Sequence, residues 1–212
     1  MQALNNIKNI IFDLGRVLLN IHPPLVKQAF KDYGGENTDE TIQKLIKTAV
    51  FEKFETGNIN TAEFRNILRK YSDIALTDEQ IDNAWNKMLL DIPPERIKLL
   101  TALKKRYRLL LLSNTNEIHV KCLNGYLSSE YGINSLAAYF DDIFYSYQTG
   151  FRKPDIRIYE YVIQHSGIIP EETVFIDDKE ENINSAKKTG LKGLLLPAEM
   201  DLIDLIKNKL VV

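Results

Sequence analysis

Asn9-Ile-Ile-Phe-Asp13, followed by Leu14 and Gly15, is the stretch on which the fold of this chain turns. The run is short, mostly apolar and too brief for a helix. It ends in a carboxylate with a glycine just beyond, so it reads as a buried strand with Asp13 at its carboxyl end and a chain turn at Gly15. The same pattern recurs further along. Arg108 to Leu112 is a second apolar run and leads into the polar end Ser113-Asn-Thr-Asn116. Ile143-Phe-Tyr145 and Gly193 to Leu196 are shorter strand candidates, and Thr173 to Ile176 ends in Asp177-Asp178. Helical patterns over Ile156–His165, Glu180–Thr189 and Met200–Leu210 separate or follow these strands. Strands alternating with helices predict an α/β fold, a doubly wound and mainly parallel sheet with helices on both faces.

Between the first two strands, roughly Leu25 to Leu90, there is almost no strand character and several helix starts carry caps. Thr77 with Gln80 forms a capping box, and Asn60 with Glu63 offers a weaker version of it ahead of Phe64, Ile67 and Leu68 at helical spacing. Gly34, Gly35 and Gly57 punctuate this stretch, Ile92-Pro-Pro94 closes it, and a further helix is expected over Glu95–Lys105. A small helical module inserted into the α/β core is the economical division of 212 residues. Phe51, Phe54, Tyr71 and Trp85 are expected to pack the core of that module rather than to wall a substrate.

A formal net charge of -2, with both signs interspersed, provides neither a basic field for nucleic acid nor a polybasic membrane anchor. Lys104, Lys105, Arg106 and Arg108 read as a solvated helix end. The single cysteine, Cys122, excludes an internal disulfide and a multi-cysteine metal site. Met1 to Lys8 is polar, unlike a signal peptide, and no window approaches the roughly 20 apolar residues of a membrane span, so a cytoplasmic protein is expected.

In open parallel sheets, ligands bind beyond the carboxyl ends of the strands, which collects Asp13, Ser113, Asn114, Asp177 and Asp178 in one place. A carboxylate on a rigid strand end is well placed as a nucleophile, although an Asp before a Gly serves equally as a turn former. Asp177-Asp178, with no Cys or His beside them, favour a hard, oxygen-ligated ion such as magnesium, or else cap the helix that follows. Lys153, in Arg152-Lys-Pro-Asp155, supplies the cation that a phosphate or a crowded carboxylate site needs, with Arg152 its rival for that role. Ser113 and Asn114 offer a hydroxyl and an amide to phosphoryl oxygens. His22, His119 and His165 are read as a linker residue and two helix residues, not as catalysts.

Taken together and in order, Phe12-Asp-Leu-Gly-Arg-Val17, Leu109-Leu-Leu-Leu-Ser-Asn-Thr-Asn116, Arg152-Lys-Pro-Asp155 and Val174-Phe-Ile-Asp-Asp-Lys-Glu-Glu-Asn182 resemble the four motifs of the haloacid dehalogenase superfamily. With Phe54-Glu-Thr-Gly-Asn58 added, the chain is similar to the bacterial alpha-D-glucose-1-phosphate phosphatases of that superfamily and to the phosphatase domain of epoxide hydrolases. The resemblance implies a Rossmann-like core of residues 1–20 and 91–212 with a helical cap of residues 21–90. It also implies a Mg2+-dependent phosphatase of a small phosphorylated metabolite, a sugar phosphate above all. Asp13 would attack phosphorus, Ser113 and Lys153 would hold phosphoryl oxygens, and water would release the aspartyl phosphate. Asp13, Asp178 and the Gly15 carbonyl would bind the metal, with Asp177 or Asn182 orienting them, and Asn114, Gly15 and Arg16 would meet the substrate.

One departure matters. Phosphatases of this superfamily commonly carry a second aspartate two residues after the nucleophile as general acid and base, and this chain has Gly15 there, as does the glucose-1-phosphate phosphatase it resembles. Two alternatives follow: a metal-independent 2-haloacid dehalogenase, or a phosphoryl-ligand binder that has lost turnover.

Overall fold

Strand β1, Asn9–Phe12, is buried along its whole length because it lies in the middle of the sheet and is covered on both faces. The computed structural model describes residues 6–33, 37–72 and 75–210; Gly34 and Gly35 lie outside the described residues. Helices α1 (Pro24–Asp32), α2 (Thr38–Lys47), α3 (Val50–Glu55), α4 (Thr61–Tyr71) and α5 (Asp78–Asn86) follow β1. Then come α6 (Pro94–Leu103), β2 (Arg108–Ser113), α7 (Glu117–Tyr131), β3 (Asp142–Tyr145), α8 (Ser146–Thr149) and α9 (Ile156–Ser166). The chain closes with β4 (Thr173–Asp177), α10 (Glu180–Lys187), β5 (Lys192–Leu195) and α11 (Leu202–Lys209).

The five strands are all parallel in the order β3-β2-β1-β4-β5, so the strand order reverses between β1 and β4. Alternate side chains enter different cores. Ile10, Phe12, Leu109, Leu111, Val174 and Ile176 pack on one face, while Ile11, Leu110, Leu112 and Phe175 pack on the other. Two buried faces explain why these strands read as unbroken apolar runs instead of alternating ones.

Helices α1–α5 build a separate apolar cluster from Leu45, Val50, Phe54, Phe64, Leu68, Leu76 and Ile81, joined by Ile118 of α7. Its aromatic rings stack, with Phe54 on Phe64 at 4.2 Å and Phe51 on Trp85 at 5.3 Å between centroids, and Tyr71 packs against the same cluster. Both capping boxes form, Asn60 with Glu63 and Thr77 with Gln80. The two connections to the sheet run side by side: His22 N–H donates to Met88 O at 2.8 Å and Leu90 N–H to Asn20 O at 2.9 Å. Gly57, at φ +69°, presses its backbone onto the core, since a Cβ there would lie 2.3 Å from Tyr147 O. Among the described residues no helix is long and apolar enough to cross a membrane.

His119 of α7 marks the contact between the helical unit and the sheet's own helices. Its ring stacks on Trp85 at 5.2 Å, its Nε2 lies 3.2 Å from Trp85 O, and its Nδ1 lies 3.2 Å from Asn116 Nδ2. Asn116 Oδ1 is already engaged as the N-cap acceptor of His119 N–H, so its amide faces Nδ1 as a donor and requires a neutral ring protonated at Nε2. Burial, partly opposed by the bond to Trp85 O, pushes the pKa of His119 down to about 4. A histidine depressed in the folded state takes up its proton on unfolding, so its stabilising contribution is complete above pH 6.5 and is lost as pH falls toward 4. That loss amounts to about 3 kcal/mol at most. Urea denaturation should therefore show a steeper fall in stability from pH 7 to pH 4.5 for the wild type than for His119→Gln. Equal slopes in the two proteins would rule this contribution out.

Candidate active site

Asp13 continues β1 beyond its last paired residue, and its N–H donates to Ile176 O at 2.9 Å. β4 lies beside β1 and ends at Asp177, so the two carboxylates meet at the point where strand order reverses. Lys153 arrives from the loop before α9 and closes the gap between them. Its Nζ lies 2.6 Å from Asp13 Oδ1, 2.7 Å from Asp177 Oδ2 and 3.0 Å from Leu112 O, and the residue is 2% exposed. Of the two adjacent cations, Lys153 points into this pair of carboxylates, whereas Arg152 turns to Glu55 of α3 at 3.1 Å.

One ammonium shared by two buried carboxylates leaves negative charge in excess. Burial raises the pKa of Asp13 to about 6, with Lys153 opposing and Asp177 adding to the shift. Burial acts against the charge on Lys153, but Asp13 and Asp177 outweigh it and its pKa is raised. Asp178, half-buried next in the chain, is also raised, by burial and by Asp177, and its Oδ2 lies 3.7 Å from Arg16 Nη1. Ligand atoms of Asp13, Asp177 and Asp178 all lie within 4.8 Å of one another. Three oxygen donors that close, with a single lysine between two of them, fit a hard divalent cation.

Asp177 and Asp178 differ sharply in freedom. Asp177 accepts from Lys179 N–H at 2.8 Å, from Asn182 Nδ2 at 2.9 and 3.0 Å and from Lys153, and it is fully buried. Tyr159 OH in turn donates to Asn182 O at 3.0 Å. Among the described residues Asp178 carries only the long contact to Arg16. The helix-capping alternative for these two aspartates is corrected: α10 starts after Lys179 as N-cap, with no side-chain capping bond.

Ser113 ends β2, is 3% exposed, and among the described residues its hydroxyl takes no hydrogen-bond partner. Asn114, expected to offer its amide to phosphoryl oxygens, does something else. Its Nδ2 donates to Lys153 O and its Oδ1 accepts from Lys153 N–H, both at 2.9 Å, so the side chain holds the lysine loop in place. Ser146 Oγ fixes the same turn from the other side, accepting from Thr115 N–H at 2.9 Å. Arg16 adopts φ +63°, a left-handed conformation that an arginine occupies at a cost of about 1 kcal/mol, and its half-exposed side chain reaches toward Asp178. Gly15 lies in the same turn, and a Cβ there would meet Ile21 Cδ1 at 3.1 Å.

Glu55 enters the sequence reading only as part of Phe54-Glu-Thr-Gly-Asn58, with no role of its own. Its partner Arg152 lies far along the chain, so no local pattern marks the pair.

Residues 7–190 match the family of haloacid dehalogenase-like hydrolases. The chain is 33% identical over 188 residues to a D-ribitol-5-phosphate phosphatase of Bacteroides thetaiotaomicron, covering 88% of this chain and 90% of that one. It is 30% identical over 193 residues to a sesquiterpene phosphatase of Aspergillus oryzae, covering 89% of each. Among solved structures, a haloacid dehalogenase family enzyme of Bacteroides thetaiotaomicron in complex with magnesium and inorganic phosphate superposes with a TM-score of 0.84. That match has 36% identity and covers 94% of this chain and 98% of the other.

Proposed function

The chain belongs to the haloacid dehalogenase-like hydrolase family, and from that premise and the geometry of its site we propose a magnesium-dependent phosphatase acting on a small sugar or polyol phosphate. The observation that carries the reading is Lys153 Nζ held between Asp13 and Asp177 with Asp178 alongside. Magnesium supplies positive charge to the carboxylates and to the phosphoryl oxygens when it is bound by Asp13, Asp178 and the Gly15 carbonyl.

The chain's own residues divide the rest of the work. Asp13, presented on a rigid strand end, attacks phosphorus and becomes the aspartyl phosphate. Lys153 and the unpartnered hydroxyl of Ser113 neutralise and orient the phosphoryl oxygens. Asp177 and Asn114 hold Lys153 at its side-chain and backbone ends respectively. Residues 21–90 serve as the cap above this floor. The polyol part of the assignment draws on the named activity of the ribitol-5-phosphate relative, and the sugar part on that of a glyceraldehyde 3-phosphate phosphatase with 29% identity.

A panel of phosphorylated metabolites tests the reading, with inorganic phosphate measured in the presence of magnesium and again after chelation. Release from polyol and sugar phosphates is expected, with a loss of at least about 100-fold on chelation and recovery when magnesium is restored. Release unaffected by chelation, or none from any phosphate monoester, would overturn it.

A further inference from the structure

We infer that Glu55, at the end of α3, is the proton-handling carboxylate of this site, giving a proton to the leaving oxygen and recovering one from the attacking water. The inference rests on the phosphatase reading and addresses its open step. Gly15 has no side chain, and the space beside it is bordered by the apolar Ile21 Cδ1. Asp13 attacks one face of phosphorus, so the leaving oxygen departs from the opposite face, toward whatever covers the strand ends.

Glu55 is tied to that region from the helical unit. Its Oε2 lies 3.1 Å from Arg152 Nη2, and Arg152 directly precedes Lys153, whose Nζ is 2.6 Å from Asp13. Gly57, pressed against Tyr147 O where no side chain fits, fixes the turn just after Glu55 onto the core. Among the described residues the other oxygen, Oε1, has no hydrogen-bond partner, so one face of the carboxyl stays available. Arg152 Nε is buried and also without a partner, leaving a donor for a ligand oxygen at the same boundary.

The charges facing Glu55 are those of Arg152, Lys179, Glu52 and Lys153. Burial raises its pKa in spite of the three cations, and Glu52 adds to the rise. A carboxyl that holds its proton more readily than an exposed one, with an arginine to receive it once ionised, has a partner in both protonation states.

The cycle closes without a further reactant. As Asp13 bonds to phosphorus, the bond from phosphorus to the leaving oxygen breaks and its electron pair stays on that oxygen, which takes the proton of Glu55. Water oxygen then bonds to phosphorus, the bond to Asp13 breaks and returns its electron pair to that carboxylate, and the proton lost by water passes to Glu55. One water is consumed and both carboxyl groups are restored.

Single-turnover kinetics of Glu55→Gln test this with two kinds of substrate. p-Nitrophenyl phosphate has a leaving oxygen stable as an anion. D-ribitol 5-phosphate or glycerol 3-phosphate, whichever the wild type turns over faster, has one that needs a proton. The variant should keep the nitrophenolate burst while cleavage of the alkyl phosphate falls by about 10²- to 10⁴-fold. The alkaline limb of its kcat/KM profile should disappear, with KM changed only several-fold, and Glu55→Asp should recover part of the rate. An equal loss on both substrates, a loss confined to KM, or no loss would overturn the proposal. Wild-type protein releasing phosphate from none of the three would instead refute the phosphatase reading itself.

Discussion

Asp13→Asn should abolish magnesium-dependent phosphate release, lowering it by at least about 10⁴-fold into the assay blank, while the protein stays folded. The amide matches the carboxylate in volume, and its oxygen can still accept from Lys153 Nζ, now 2.6 Å from Asp13 Oδ1. What it lacks is the negative charge and lone-pair nucleophilicity that form the bond to phosphorus. The stability change has a definite sign. A carboxyl whose folded pKa is raised to about 6 contributes most below its unfolded value near 4, and that contribution is lost as pH rises through 6. At neutral pH without metal the ionised Asp13 therefore weakens the fold, so Asp13→Asn should melt at or above the wild-type temperature. Lost activity with retained or raised Tm separates a chemical role from a structural one. A variant that still turns over at a tenth of the wild-type rate would refute the aspartyl phosphate.

The parts of this molecule written in short-range patterns were legible in the sequence. Each central strand appears as an apolar run because both its faces are buried, and the capping boxes at Asn60 and Thr77 are visible because each is completed within one helical turn. The places of Asp13, Ser113 and Asp177 at the carboxyl ends of neighbouring strands were legible from the same runs. The bonds of Asn114 were not legible, because they are made with the Lys153 backbone, 39 residues away, which takes both ends of its amide. The four-residue helix α8 is fixed by contacts of Ser146 with Thr115 rather than by its own composition. The contact of Glu55 with Arg152 is hidden for the same reason in stronger form: its neighbours in sequence belong to the helical unit and its partner to the core. Asp177 and Asp178, adjacent and chemically identical, are told apart in the structure by Lys179, Asn182 and Lys153 gathering on one of them, whereas in the sequence the resemblance alone separates them.

Lys153→Met should do to stability the opposite of what Asp13→Asn does. Methionine follows the same path through the loop and keeps the packing beside Phe175, whose ring centroid is 5.3 Å from Nζ, but it leaves Asp13 and Asp177 facing each other without a counterion. Breaking a buried ion pair from one side costs roughly 3–5 kcal/mol, because the abandoned charge stays desolvated. Without magnesium, chemical denaturation should therefore show a loss of that order, and the pKa of Asp13 should rise above its wild-type value, since Lys153 is the main force now holding it down. A divalent cation brings positive charge to the same carboxylates, so magnesium should stabilise the variant more than the wild type, although phosphate release stays at the blank for want of the ammonium on the phosphoryl oxygens. The double variant Asp13→Asn, Lys153→Met removes one charge of each sign and should regain part of the loss, which ties the effect to the pair rather than to the lysine's bulk. Wild-type stability in Lys153→Met, or no recovery in the double variant, would mean that Asp13 and Asp177 are not held together by Lys153.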